Sequence, residues 1–155
     1  MNSQDDYIER TIAMLRRMLA QLVGMRAAGK HEQAMVILLQ AQERLFGRPL
    51  SEVAALPLDG QLGILATGFS AAQARERYVC YALLLREAGI SYRERDQGDL
   101  AGSAFKAALY VLLRAALTDS GEDEPLVELI RSTLASAPVE QVDAPIIRLL
   151  AAINP

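Results

Sequence analysis

The chain has 155 residues, the usual length of one domain, and its net charge of −3 argues against a general nucleic-acid binder, which needs a basic face. Hydrophobic residues make up 52% of the sequence but aromatic residues only 5%, so the core must be aliphatic. Alanine and leucine dominate, and both favour helices over strands. We therefore expect one all-α domain over residues 1–155.

The composition also bears on the compartment. The N-terminus is polar and acidic, without the basic start and apolar run of a signal peptide. No uninterrupted apolar stretch reaches the roughly 18 residues of a membrane span. Cys80 is the only cysteine, so an intrachain disulfide is impossible and a reducing compartment is favoured. The sequence predicts a cytoplasmic protein with no membrane partner.

The first predicted unit is a helical hairpin over residues 6–46. An apolar stripe at steps of three and four marks one face of its first helix, namely Ile8, Ile12, Leu15, Leu19 and Leu22. Gly29 and Lys30 interrupt the pattern before a second helix over residues 31–46. Gly29 suits the left-handed position that follows a helix. A turn this short predicts antiparallel helices.

A connector with weaker signals follows over residues 47–69. Prolines and glycines interrupt it, and only short helices near residues 51–56 and 59–66 are expected. Its leucines and Phe69 still need burial, so it belongs to the same domain.

The second predicted hairpin covers residues 70–118. Ser70 and Gln73 have the spacing of a capping box, which predicts the start of a long helix that ends near residue 95. The segment Gln97-Gly98-Asp99 then interrupts the pattern. The helix expected over residues 100–118 is apolar on nearly every side, which places it either at the centre of the fold or in a subunit interface.

The C-terminal helices are predicted over residues 122–154. Acidic residues before Pro125 are typical of a helix start, and Pro138 is expected to open the last segment. In total the sequence predicts six to seven helices.

The two hairpins look alike, because Gly29 and Gly98 are 69 residues apart, close to two periods of the tetratricopeptide repeat at about 34 residues each. The first 50 residues and the second hairpin also resemble an uncharacterised bacterial family of tetratricopeptide-like helical domains. The residues that carry this resemblance include Asp6-Tyr7-Ile8, Arg10, Ile12, Leu15, Ala20, Leu22, Gly29-Lys30, Ala34 and Leu45-Phe46-Gly47. The resemblance implies stacked antiparallel hairpins in a degenerate right-handed superhelix, and it assigns no functional residue.

The usual marks of catalysis are missing from the sequence. His31 is the only histidine, which excludes sites with two histidine ligands and argues against a catalytic triad. Cys80 lies within a helix and fits a small, buried or half-buried thiol. Phosphate loops, nucleophile elbows and metal-ligand spacings do not occur. We expect no enzyme activity, no cofactor and no metal.

Arginine and tyrosine cluster near both ends of the third long helix, and such residues are enriched in binding hot spots. The candidate partner-binding residues are Arg75, Tyr78, Tyr92, Arg93 and Arg95. Acidic residues are interleaved with them, so a solvated face with local ion pairs is the alternative interpretation.

Three functions remain open from the sequence. The first is a non-enzymatic scaffold that binds a protein or peptide partner and self-associates as a homodimer. The second is a small-molecule or lipid-binding domain, with the methionine-rich first helix lining an apolar cavity. The third is a helical enzyme that uses arginine and carboxylate residues, which would need Arg75, Arg93, Glu76 or Asp96 to converge in one cleft.

Overall fold

The computed structural model describes residues 3–118, 124–136 and 144–153, and these residues form eight α-helices and no β-strand. The helices in chain order are α1 (Ser3–Ala27), α2 (His31–Phe46), α3 (Leu50–Ala54), α4 (Leu58–Ala66), α5 (Ala71–Glu94), α6 (Gly98–Thr118), α7 (Glu124–Ser136) and α8 (Ala144–Ile153). The all-α expectation is confirmed. The eight helices exceed the expected six to seven, and the two short helices expected in the connector form as α3 and α4. Residues 119–123 and 137–143, with Pro138, lie outside the described residues.

The first hairpin has the predicted turn. Gly29 adopts a positive φ of 79°, in the left-handed region that costs glycine little. The Lys30 amide donates to the Met25 carbonyl at 2.9 Å, and the Gly29 amide donates to the Arg26 carbonyl at 2.9 Å. These two bonds form a Schellman motif, which satisfies carbonyls that the end of α1 would otherwise leave free.

The second hairpin has the same turn, but it is centred two residues before the predicted glycine. Asp96 takes the left-handed position with a φ of 58°, and the Gln97 amide donates to the Tyr92 carbonyl at 2.9 Å. Gly98 is the first residue of α6. Asp96 is therefore the counterpart of Gly29, and the choice of Gly98 was wrong. Aspartate can take this position because its short polar side chain tolerates the left-handed conformation better than most side chains do.

Buried positions correspond between the two hairpins when the turns are superposed. Gly29 and Asp96 are 67 residues apart, and the same shift carries every buried residue of α2 onto a buried residue of α6. The pairs are Ala34 with Ala101, Ile37 with Ala104, Leu38 with Phe105, Ala41 with Ala108, Leu45 with Leu112, and Phe46 with Leu113.

Helix α6 supplies much of the core, whereas α5 is the helix that contacts α1, α2, α4 and α6. Helices α5, α7 and α8 all pack against α6, and ten of its residues are buried. By length and composition alone it could cross a membrane, but burial within the chain accounts for the same composition. The α5–α6 contact is close at Gly89, where a Cβ atom would lie 3.0 Å from the ring of Phe105.

The capping box at the start of α5 is confirmed. The Gln73 amide donates to Ser70 Oγ at 3.2 Å, and the Ser70 amide donates to Gln73 Oε1 at 3.0 Å. Gln73 Nε2 also donates to Asp5 Oδ1 at 2.7 Å, so the side chain that caps α5 also connects it to α1.

A buried arginine joins α5 to the ends of two other helices. Arg77 is only 5% exposed, its Nε donates to the Leu65 carbonyl at 2.9 Å, and its Nη2 donates to the Leu45 carbonyl at 3.0 Å. These carbonyls lie in the last turns of α4 and α2, where the helix dipole is negative. The guanidinium also stacks 4.3 Å from the centre of the Phe69 ring. Burial lowers the pKa of Arg77.

Candidate binding groove

The long helices α1 and α5 leave a groove between them that ends at the start of α7. Its volume is about 460 Å³, within the range of typical ligand sites. The floor is apolar, because Leu15 of α1 and Leu84 of α5 are almost fully buried beneath it. The remaining lining residues are Arg16, Leu19, Ala72, Arg75, Glu76, Val79, Cys80, Leu83 and Pro125.

Charged side chains flank this apolar floor on both sides. Arg16 is exposed on α1, while Arg75 and Glu76 line the groove from α5. Among the described lining residues these are two positive charges and one negative charge. An apolar floor with charged rims is the arrangement found in protein-recognition surfaces.

Cys80 lies in the wall of the groove and is half-buried, in agreement with the sequence analysis. Burial raises its pKa to about 11, and the positive charge of Arg16 offsets part of that shift. The thiol is therefore protonated at neutral pH and is a poor nucleophile. Its chemical role in the groove is that of a small apolar group.

The five candidate partner-binding residues do not share one surface. Arg75 lines the groove, whereas Tyr78 is 5% exposed and packs in the core, where a partner could not reach it. Tyr92 is partly buried against the core, and the Arg93 guanidinium lies 5.2 Å from the centre of the Phe105 ring. Arg95 lies at the turn that ends α5, beside residues 29–33. The two predicted clusters are separate.

The cleft required by the enzyme hypothesis does not form. Arg75 and Glu76 lie near the start of α5, and Arg93 lies near its end, about 27 Å away along the helix axis. Asp96 is beyond that end, in the turn. Within the described residues no cluster of three or more histidine, cysteine or acidic side chains could hold a metal ion.

Met14 and Met18 of the first helix line a depression near the end of α2, but its surroundings are mixed. Glu43, Arg44 and Arg48 line the same space, and Arg44 Nη1 contacts Met14 Sδ at 3.9 Å. A lipid tail requires an apolar lining, which these three charged residues interrupt.

A further depression lies between α4, α6 and α8. Asp59 Oδ1 accepts a hydrogen bond from the Tyr110 hydroxyl at 2.5 Å and another from Arg114 Nη1 at 2.8 Å. Burial and the bond to Asp59 raise the pKa of Tyr110. These three side chains satisfy one another, so they connect α4 to α6 without presenting a free reactive group.

Ionic contacts connect the first hairpin to the end of α5. Arg26 donates from Nε to Glu87 at 3.0 Å and from Nη1 to Glu94 at 3.1 Å. His31 Nδ1 lies 3.8 Å from the same Glu94 carboxylate. His31 is thus a partly exposed residue in the first turn of α2, beside an ion pair that fixes the hairpins against each other.

The groove itself was not predicted, although its residues are ordinary members of helical stripes. Leu15 and Leu19 belong to the predicted face of α1, while Val79 and Leu83 are apolar residues of α5. The sequence carries one indication of the groove, because α5 has apolar residues on more than one face and therefore packs or binds on more than one side.

Comparisons with family models, with curated protein sequences and with solved structures returned no significant match for this chain. The resemblance of its N-terminal part to tetratricopeptide-like domains therefore stays a prediction.

Proposed function

We propose that this chain is a non-enzymatic interaction domain that binds a peptide segment of a protein partner in the groove between α1 and α5. The observation that carries this proposal is the apolar floor over Leu15 and Leu84, flanked by charged side chains on both helices. Buried apolar contacts provide affinity, and the charged rims restrict which partners fit.

The arrangement of the hairpins supports an architecture suited to this role. Helix α5 contacts both α1 and α2, and its own hairpin partner α6 contacts α7 and α8. The correspondence of buried positions at a shift of 67 residues is close to two tetratricopeptide periods of about 34 residues. We propose that the hairpins stack as a degenerate right-handed superhelix, with α1 and α5 lining its concave face.

The alternative is a small-molecule or lipid-binding domain. The mixed lining near Met14 and Met18 gives it little support, and the α1–α5 groove has charges on both walls. A ligand with one polar end and a long apolar tail matches that pattern less well than a peptide with charges on both sides.

We also propose that the chain self-associates, but the apolar surface that supports this proposal lies on α2 and not on α6. The sequence suggested it through the apolar surface of α6, most of which is covered by α5, α7 and α8, although Leu100 and Leu117 of that helix remain exposed. Two exposed apolar side chains, Val36 and Leu39, remain close together on the outer face of α2. Light scattering at micromolar concentration tests this proposal: a dimer mass supports it, and a monomer mass contradicts it.

The peptide-binding proposal is tested by selecting binders from a random peptide library and measuring their affinity for groove variants. Ala72→Trp fills the groove from an exposed position of α5, so the fold should tolerate it. We expect it to weaken binding by at least about tenfold, as blocking a hot-spot pocket does. Ala54→Trp, on the exposed side of α3, is the matched control and should bind normally. Equal loss of binding in both variants, or no loss in Ala72→Trp, would refute the proposal.

A further inference from the structure

Resting on the proposed function, we infer that the groove between α1 and α5 receives an amphipathic α-helix of the partner and not an extended segment. The occupant packs its apolar stripe between the two helices, over Leu19, Val79 and Leu83. These three side chains are only half-buried in the chain itself, so each retains surface for a further contact. The inference names the conformation and the apolar pattern of the partner segment, which the volume of the groove alone leaves open.

The backbone of the two walls is the first argument. Residues 15–19 of α1 and 75–84 of α5 lie inside helices, where amide and carbonyl groups bond to one another. Among the described lining residues there is no serine, threonine, asparagine or glutamine side chain that could bind a peptide backbone instead. An extended peptide would therefore place unpaired backbone groups over an apolar floor, which costs free energy. A helix pairs its own backbone groups and avoids that cost.

The arrangement of the lining side chains is the second argument. Those of α5 form two rows in which each residue follows the previous one by four positions, namely Ala72-Glu76-Cys80-Leu84 and Arg75-Val79-Leu83. Two such rows enclose a furrow into which the side-chain ridge of another helix packs. On the opposite wall Leu15 and Leu19 are also four positions apart. Both walls thus present the surface that helices use to pack against helices.

The length of the groove sets the length of the occupant. Helices α1 and α5 run in the same direction, because Asp5 contacts Gln73 near their starts and Arg26 contacts Glu87 nearer their ends. The lining of α5 over residues 72–84 extends about 18 Å. A helix of about twelve residues spans that distance, and its apolar stripe recurs at steps of three and four residues. That spacing is the pattern expected in the partner segment.

Two matched peptide libraries test the inference on the full chain. They have the same composition, but apolar residues recur at steps of three and four in one library and at every second position in the other. We expect binders only from the library with the helical spacing. Ala72→Trp should weaken these binders by at least about tenfold, because it fills the groove. Ala54→Trp on α3 is the matched control and should bind them normally.

A proline exchange in a selected peptide tests the bound conformation directly. Proline at a central position outside the apolar stripe should weaken affinity by at least about tenfold, because proline in the interior breaks a helix. Proline at the first helical position is the matched control and should change affinity by less than about twofold, since helices tolerate it there. Equal affinity of the two proline peptides would overturn the inference.

The outcomes also separate this inference from the proposed function. If alternating peptides bind, Ala72→Trp blocks them and a central proline is tolerated, the groove binds extended peptides, so the proposed function stands and this inference is wrong. If neither library binds, both proposals fail. Binding of dodecanoate that Ala72→Trp abolishes, with no peptide binding, would assign the groove to a lipid and overturn both. A dimer that Ala72→Trp converts into monomers would assign the groove to a second copy of the chain and overturn the inference.

Discussion

Replacing Arg77 by methionine removes a buried connection among three helices while it keeps an unbranched side chain of similar length. The change deletes hydrogen bonds of 2.9 Å and 3.0 Å to the carbonyls of Leu65 and Leu45, and it leaves both carbonyls in the interior. It also deletes the contact with the Phe69 ring at 4.3 Å.

The magnitude follows from these contacts. Each hydrogen bond from a charged donor contributes about 1.5–3 kcal/mol. The loss is partly offset because methionine avoids the cost of burying a charge, the same cost that lowers the pKa of Arg77. We therefore expect Arg77→Met to reduce the free energy of unfolding by about 2–4 kcal/mol.

Urea denaturation followed by circular dichroism measures this loss. Arg10→Met is the control, because Arg10 is exposed and should change stability by less than about 0.5 kcal/mol. Arg77→Lys should recover only part of the loss, since an ammonium group lacks the planar fork that reaches two carbonyls. A stability of Arg77→Met within about 0.5 kcal/mol of the wild type would refute the role assigned to Arg77.

Two further substitutions and one measurement on the wild-type chain test other parts of the structure. Gly89→Ala should destabilise the chain by about 1–3 kcal/mol in urea denaturation, because its Cβ would meet the Phe105 ring at 3.0 Å; unchanged stability would contradict the close α5–α6 contact. Asp96→Gly should leave the free energy of unfolding unchanged or raise it by up to about 1 kcal/mol in the same assay, because glycine adopts the left-handed φ of 58° without strain. A clear loss of stability would contradict the left-handed conformation assigned to Asp96. The alkylation rate of Cys80 should rise up to a pH of about 11 without levelling off near pH 9, and an early plateau would contradict its burial.

The pKa shift of Cys80 also has a consequence for stability. Because its folded pKa is raised to about 11 from 9.0, the unfolded chain loses the proton first as the pH rises. The contribution of the protonated thiol to stability is therefore complete below pH 9 and is lost as the pH rises toward 11. Cys80→Ala should lose less stability than the wild type over that interval.

The long helices could be predicted from the sequence because their evidence is local. The stripe through Ile8, Ile12 and Leu15 and the capping box at Ser70 need only residues within a few turns of each other. The second turn was misplaced by two residues because glycine is the usual left-handed residue, and nothing in the sequence indicates that Asp96 takes that conformation instead.

The candidate site could not be predicted in the same way, because it depends on which helix faces meet. Tyr78 was assigned to a candidate binding cluster with Arg75, yet it lies on the face of α5 that packs inward. Arg77 looks exposed, and it is buried because two helix ends bring their carbonyls to it. The groove exists only because α1 and α5, separated in sequence by α2, α3 and α4, lie side by side.

Protection of Cys80 by a bound peptide is the most direct test of the groove as the binding site. Cys80 is the only cysteine in the chain and it lines the groove, so its reaction with 4,4′-dithiodipyridine reports on that space alone. We expect a saturating selected peptide to slow the reaction by at least about tenfold, in proportion to occupancy. A Cys80→Ala, Ala54→Cys variant carries the thiol on α3 and should react at an unchanged rate. Peptide binding that leaves the Cys80 rate unchanged would contradict the groove as the binding site.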